Sequence, residues 1–131
     1  MRWYLLETIL IADDDPDVRE ILKHTLERAG YITAEAVDGC EALMAVRTMQ
    51  FDLLITDLAM PERDGLELLE ALRFERRAPK VIALSGAWDG LCLPAAAKLG
   101  AHAALPKPWR TQELLDTVRA VLDAQPAASL S

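Results

Sequence analysis

The chain has 131 residues, 52% of them hydrophobic, and a formal net charge of −7 at neutral pH. That length and apolar content suit one domain, which buries roughly two-thirds of its unfolded surface, and leave no room for a second. No apolar run approaches the roughly 18 residues of a membrane span, the negative balance argues against unaided binding to a polyanion such as DNA, and Cys40 and Cys92 are too few and too far apart for a metal or disulfide framework.

Along the chain, short β-branched apolar runs alternate with longer amphipathic stretches, which predicts a doubly wound α/β fold with a five-stranded parallel sheet and helices on both faces. The first strand spans Thr8 to Ala12 and runs into Asp13, Asp14 and Asp15. Asp15 can cap a helix whose first position suits Pro16; Val18, Ile21, Leu22, Leu26 and Ala29 follow the helical period, and Gly30 closes it. A second strand falls at Ile32 to Ala36, and a second helix at about Gly39 to Met49, capped by Asp38, with Glu41 three residues on and Leu43 and Val46 inward. Leu53 to Asp57 is the third strand, and the third helix starts near Gly65 with Leu66, Leu69 and Leu72 on one side. Val81 to Ser85 is the fourth strand.

Pro94 would remove a backbone donor in mid-helix, so the fourth helix is expected to begin near Leu93, behind a loop from Gly86 that contains Trp88, Asp89 and Gly90. Ala103 to Leu105 is the fifth strand. The last helix, from about Thr111, places Leu114, Leu115, Val118, Val121 and Leu122 on one stripe. Residues 1–125 then form one domain and 126–131 a tail or linker stub.

The informative pattern is where the apolar strands stop. The first ends in Asp13 and Asp14, the third in Asp57, the fourth in Ser85 and the fifth just before Lys107. Right-handed crossovers put the carboxyl ends of parallel strands on one edge, so these side chains converge where open α/β sheets bind ligands. Two unit charges about 4 Å apart repel by about 1 kcal/mol in water and about 4 kcal/mol at an effective dielectric near 20, so three aspartates in one cleft need a counter-charge. A hard divalent cation, Mg²⁺ or in its place Mn²⁺, suits an all-oxygen site, and Lys107 can neutralise part of what remains. An aspartate so placed can act as nucleophile and form an acyl phosphate, helped by the cation, the ammonium and the Ser85 hydroxyl.

From about Glu7 to Gln125 the chain resembles the receiver domain of two-component response regulators. The resemblance rests on Asp13-Asp14 after the first strand, Asp57 after the third with Pro61 four and Gly65 eight residues on, Ser85 after the fourth, and Lys107-Pro108 after the fifth. It implies a flavodoxin-like sheet of strand order 2-1-3-4-5 with five helices. It implies that Asp57 accepts a phosphoryl group from a histidine kinase or histidine phosphotransfer protein. Asp14, Asp57 and the backbone carbonyl of Ala59 would ligate Mg²⁺, with Asp13 reaching it through water, while Ser85 and Lys107 bind phosphoryl oxygens. The Lys107-Pro108 peptide is expected to be cis. Its expected setting is the cytoplasm, with no membrane and no direct nucleic-acid contact, and with a downstream protein, an output domain or a second copy as further partner. The domain would be no enzyme apart from its own phosphorylation and dephosphorylation.

Receivers carry Tyr or Phe three residues before the lysine, and here that position is Ala104. The ring-flip switch of the family has no ring to use, so switching through loop order or a constitutive partner is expected, with Trp88 and Trp109 as alternative reporters. A scaffold of receiver fold with weak phosphorylation-dependent switching is the alternative. A phosphatase of the haloacid dehalogenase type would use Asp13 and Asp15, but the late acidic pair that family needs is missing. Asp15 is read as a helix cap, and His24 and His102 as surface residues.

Overall fold

The computed structural model describes residues 6–60, 64–86 and 93–124. Pro61, Trp88, Asp89, Gly90, Cys92 and the tail lie outside them. Five parallel strands, β1 (Thr8–Ala12), β2 (Ile32–Ala36), β3 (Leu53–Asp57), β4 (Lys80–Ser85) and β5 (Ala103–Pro106), alternate with helices α1 (Pro16–Arg28), α2 (Gly39–Thr48), α3 (Gly65–Leu72), α4 (Leu93–Lys98) and α5 (Thr111–Asp123). The sheet order is β2-β1-β3-β4-β5, the flavodoxin-like arrangement, with β3 in register between Ile9↔Leu53 and Leu53↔Lys80. No helix among the described residues is long and apolar enough to cross a membrane.

Why the strands read as unbroken apolar runs is visible in their two-sided burial. On β1 and β3, Leu10, Ala12 and Leu54 pack toward α2 and α3, while Ile9, Ile11, Leu53 and Ile55 pack toward α1 and α5. The first three helices start where an aspartate side chain satisfies a free amide. Asp15 accepts from the Asp17 N–H at 2.9 Å, Asp38 from Glu41 at 2.8 Å and Asp64 from Glu67 at 2.9 Å.

Two helices turn differently from the expected stripes. Leu22 and Leu26 fill the core beneath α1, but Ile21, at the far margin of the stripe, is 56% exposed, and Ala29 is exposed because α1 ends at Arg28 and Ala29 is its C-cap. On α3 the buried residues are Leu68, Leu69 and Leu72, with Leu66 half-buried. α4 begins at Leu93 as the proline required. Cys40 is a free, exposed thiol on α2.

Two tertiary contacts have no signature in the local sequence. The Lys80 ammonium donates to the carbonyls of Val121 at 3.0 Å, Leu122 at 3.2 Å and Ala124, tying the end of α5 to the start of β4. His102 extends the β4–β5 pairing: its N–H donates to the Val81 carbonyl at 2.8 Å, and its Nδ1 accepts the Val81 N–H at 3.1 Å. Desolvation, and secondarily the charge of Lys80, holds the His102 pKa below its usual 6.5. It is a surface residue, yet its neutral ring is structural.

Gly65 opens α3 under the backbone of the preceding strand. A Cβ there would lie 2.4 Å from the Asp57 carbonyl oxygen and 2.6 Å from Leu58 Cα, and its N–H donates to the Leu58 carbonyl at 3.0 Å. Gly65→Ala is expected to cost about 3 kcal/mol in urea unfolding, since both clashing atoms are backbone. A loss under about 0.5 kcal/mol, the usual range for a surface substitution, would show that the helix start can shift freely. For His102, a folded pKa below the unfolded one means stability is fully present above 6.5 and declines as pH falls toward the folded value. The urea midpoint is therefore expected to drop more between about pH 7.5 and 5 in the parent protein than in His102→Gln. Equal drops would remove the histidine from the explanation.

Candidate functional site

The carboxyl edge of the sheet collects the residues the sequence singled out. Asp13, directly after β1, is fully buried, and Asp57, the last residue of β3, is nearly so. Asp14 is exposed at the mouth. Carboxylate oxygens from all three lie within 4.8 Å of one another. Lys107 follows β5, and its Nζ reaches Asp57 Oδ2 at 3.0 Å and Asp13 Oδ2 at 3.2 Å. The Lys107-Pro108 peptide is cis.

Backbone geometry fixes each member. Asp13 Oδ1 accepts the Asp15 N–H at 2.9 Å, and Asp57 Oδ1 accepts the Ala59 N–H at 3.1 Å, so each aspartate folds the turn that follows it and leaves Oδ2 for the lysine. The Ala59 peptide is thereby drawn alongside Asp57. Ser85 ends β4 almost fully buried, next to Leu84, the register partner of Asp57. Its carbonyl accepts the Lys107 N–H at 2.7 Å, which sets where the lysine leaves the sheet. The Asp15 side chain serves as the helix cap, accepting from the Asp17 N–H, and only its backbone N–H bonds to this group.

One residue escaped the sequence reading. Arg19, with a side chain only 15% exposed, donates from Nη1 to the Asp13 carbonyl at 2.7 Å and from Nε to Glu35 Oε1 at 3.2 Å. It pins the acidic turn from behind, bracing it against β2. A charged residue one turn into an amphipathic helix reads as solvated, so nothing local marks it.

The electrostatics follow from burial. Loss of water around Asp13 is the main force raising its pKa, and the charge of Asp57 adds to it; the Asp15 N–H and Lys107 only partly compensate. For Lys107 burial opposes the charge, yet the bond to Asp57 and the charges of Asp57 and Asp13 together hold its pKa above the usual value. One ammonium shared by two carboxylates beside a third leaves a net negative cleft. Three oxygen donors and no nitrogen or sulfur among them fit a hard divalent cation.

An open parallel sheet of this order, with clustered aspartates and an opposed lysine at its carboxyl edge, defines a receiver domain. The family model for the response regulator receiver domain matches residues 9–119, and the chain belongs to that family. Among curated proteins it is 34% identical to the DNA-binding response regulator MtrA of Mycolicibacterium smegmatis, over 95% of this chain and 56% of that protein. It is 37% identical to the transcriptional regulatory protein CpxR of Escherichia coli, over 89% of this chain and 50% of that one. The chain spans about half the length of these relatives. Among solved structures, a putative response regulator from Chloroflexus aurantiacus matches with a TM-score of 0.86 and 33% identity, covering 91% of this chain and 99% of that one. The chemotaxis response regulator CheY4 of Vibrio cholerae matches with a TM-score of 0.83 and 30% identity, covering 88% and 98%.

Because the folded pKa of Asp13 is raised, the folded state holds its proton more tightly than the unfolded chain. Its contribution is therefore favourable below the usual 3.8 and turns unfavourable as pH climbs through the folded value. At neutral pH without metal, Asp13→Asn is expected to raise the melting temperature by a few °C, on the order of 1 kcal/mol of relief. Added Mg²⁺ should stabilise the parent protein and do much less for the variant. A variant that melts lower than the parent without metal would contradict the buried-charge account.

Proposed function

We propose that this domain is a phosphorylation switch in which Asp57 receives a phosphoryl group from the phosphohistidine of a histidine kinase or histidine phosphotransfer protein. The observation that carries the reading is Lys107 Nζ shared between Asp57 and Asp13 in a cleft of three carboxylates. A carboxylate oxygen of Asp57 attacks phosphorus, the P–N bond of the phosphohistidine breaks, and the imidazole leaves with the bonding pair. Lys107 then stays beside Asp57 to pair with phosphoryl oxygens, and the Ser85 hydroxyl lies on the neighbouring strand to donate to another. Asp13, Asp14, Asp57 and the Ala59 carbonyl would hold Mg²⁺ or Mn²⁺, which would supply the positive charge that lets an anionic carboxylate meet an anionic phosphate.

Release follows when water attacks phosphorus and the bond to Asp57 breaks, giving inorganic phosphate. Beyond this cycle the domain turns over no separate substrate, and we place its work in the cytoplasm. A cleft of about 420 Å³ beside Lys107, lined by Val18, Ile21, Gly86, Lys107, Pro108 and Trp109, supports the approach of a donor domain. It gives exposed Ile21 a use as an apolar contact. The response reaches a downstream protein, an attached output domain or a second copy. Ala104, exposed and without a ring, favours switching that does not pass through an aromatic at that position.

Incubation with Mg²⁺ and a small acyl phosphate should add one phosphoryl group by intact mass. Asp57→Asn and metal chelation should each abolish the label, Lys107→Ala should slow it at least about tenfold, and Asp15→Asn should keep it. Label persisting in Asp57→Asn would sink the assignment. Rapid multiple turnover of the donor would point to a phosphatase instead.

A further inference from the structure

The phosphotransfer chemistry leaves the opposite edge of the sheet unused, and that edge carries an unusual surface. Where α2 and α3 end and β3 and β4 begin, the chain forms an open groove of about 640 Å³ lined by Val46, Met49, Phe74, Arg47, Arg76 and Arg77 among others. Phe74 is 83% exposed and Met49 60% exposed. Large side chains left in water beside one another, ringed by charge, are the mark of a contact surface rather than of a folding core.

The charge is equally uneven. The protein has 21 acidic against 14 basic residues, yet residues 73–77 read Arg-Phe-Glu-Arg-Arg. Glu75 pairs with Arg47 at 3.1 Å. Among the described residues, Arg76 and Arg77 have no ion-pair partner, so their guanidinium donors face the groove's solvent unopposed. Planar guanidinium groups match carboxylates two bonds at a time.

We propose that this groove docks an acidic peptide segment of a partner protein, with an aliphatic or aromatic side chain seated on Phe74 and Met49 and flanking carboxylates on Arg76 and Arg77. A nucleic acid fits less well, because two unopposed arginines neutralise few phosphates while the net charge of −7 repels the rest. A second copy would bind head to tail, since groove and acidic cleft lie on opposite edges, and such a contact builds a ring or an open filament rather than a two-fold dimer. Docking at the amino edge leaves Asp57 open to its phosphodonor.

The test uses the whole chain and a short fluorescein-labelled peptide carrying a Leu-Phe pair flanked by Asp and Glu. Anisotropy should show saturable binding with a Kd on the order of 10–100 μM, weakened by salt. The double variant Arg76→Glu with Arg77→Glu, and separately Phe74→Ser, should each lose at least about tenfold in affinity, about 1.4 kcal/mol, with unchanged melting temperature. Asp57→Asn should bind like the parent. The proposal is overturned by any of the following: absence of saturable binding, equal affinity in these variants, tighter binding of a single-stranded oligonucleotide at the same residues, or concentration-dependent self-association that Phe74→Ser abolishes.

Discussion

Placing like charges together at the end of a parallel sheet is the constraint around which this domain is organised. The crossover rule sends the carboxyl ends of β1, β3, β4 and β5 to one edge, and the sequence puts Asp13, Asp57, Ser85 and, after β5, Lys107 there. Asp13 has no exposed surface, so its charge is tolerated only with a cation at hand. Lys107 meets that need in part, with bonds of 3.0 and 3.2 Å to two carboxylates. The cost of the arrangement is also its use, because a cleft short of positive charge is one that a divalent cation and a phosphoryl group can share.

That constraint explains why so much of the site was legible in the amino-acid sequence. Strand ends in a doubly wound sheet are predictable from apolar runs, and polar residues that interrupt such runs have one place to go. The caps at Asp15, Asp38 and Asp64 follow from the backbone's own need for acceptors, which is a local matter. What escaped was long-range. Arg19 tying the acidic turn to Glu35 on β2, Lys80 closing α5, and His102 accepting from Val81 each depend on a partner in another element of the fold. Charged or titratable residues on helices and strand ends read as solvated until their partners are placed. Ile21 failed for the opposite reason: its spacing suits the core stripe of α1, yet the helix turns it outward, beside Trp109.

Gly65 shows how a motif residue acquires a cause. As a letter eight positions after Asp57 it is only part of a pattern. In the fold it sits so close to the Asp57 and Leu58 backbone that no side chain fits, and its amide holds the Leu58 carbonyl. The start of α3 is thus pressed against the strand that carries the proposed phosphoacceptor. The glycine serves the site by closeness of backbone rather than by left-handed conformation.

The route from this cleft to the rest of the domain must run through what the sheet provides. Ala104 pairs with Ala83 across β4 and β5, two small residues where a ring would otherwise report on Ser85. With no aromatic at position 104 to reorient, the connections left on these two strands are the main chain of β4 and β5 and the elements bolted to them. Ser85 fixes Lys107 through its carbonyl, and Lys80, at the other end of the same strand, holds the last carbonyls of α5. α5 is therefore joined to β4 at its C-terminus and follows the Lys107-Pro108 turn at its N-terminus. A displacement of Ser85 or Lys107 is passed along these strands by backbone hydrogen bonds and the Lys80 clamp. Such a connection favours small, concerted shifts of β4, β5 and α5 over a discrete rotamer exchange, and it leaves the basic groove at the amino edge outside the path.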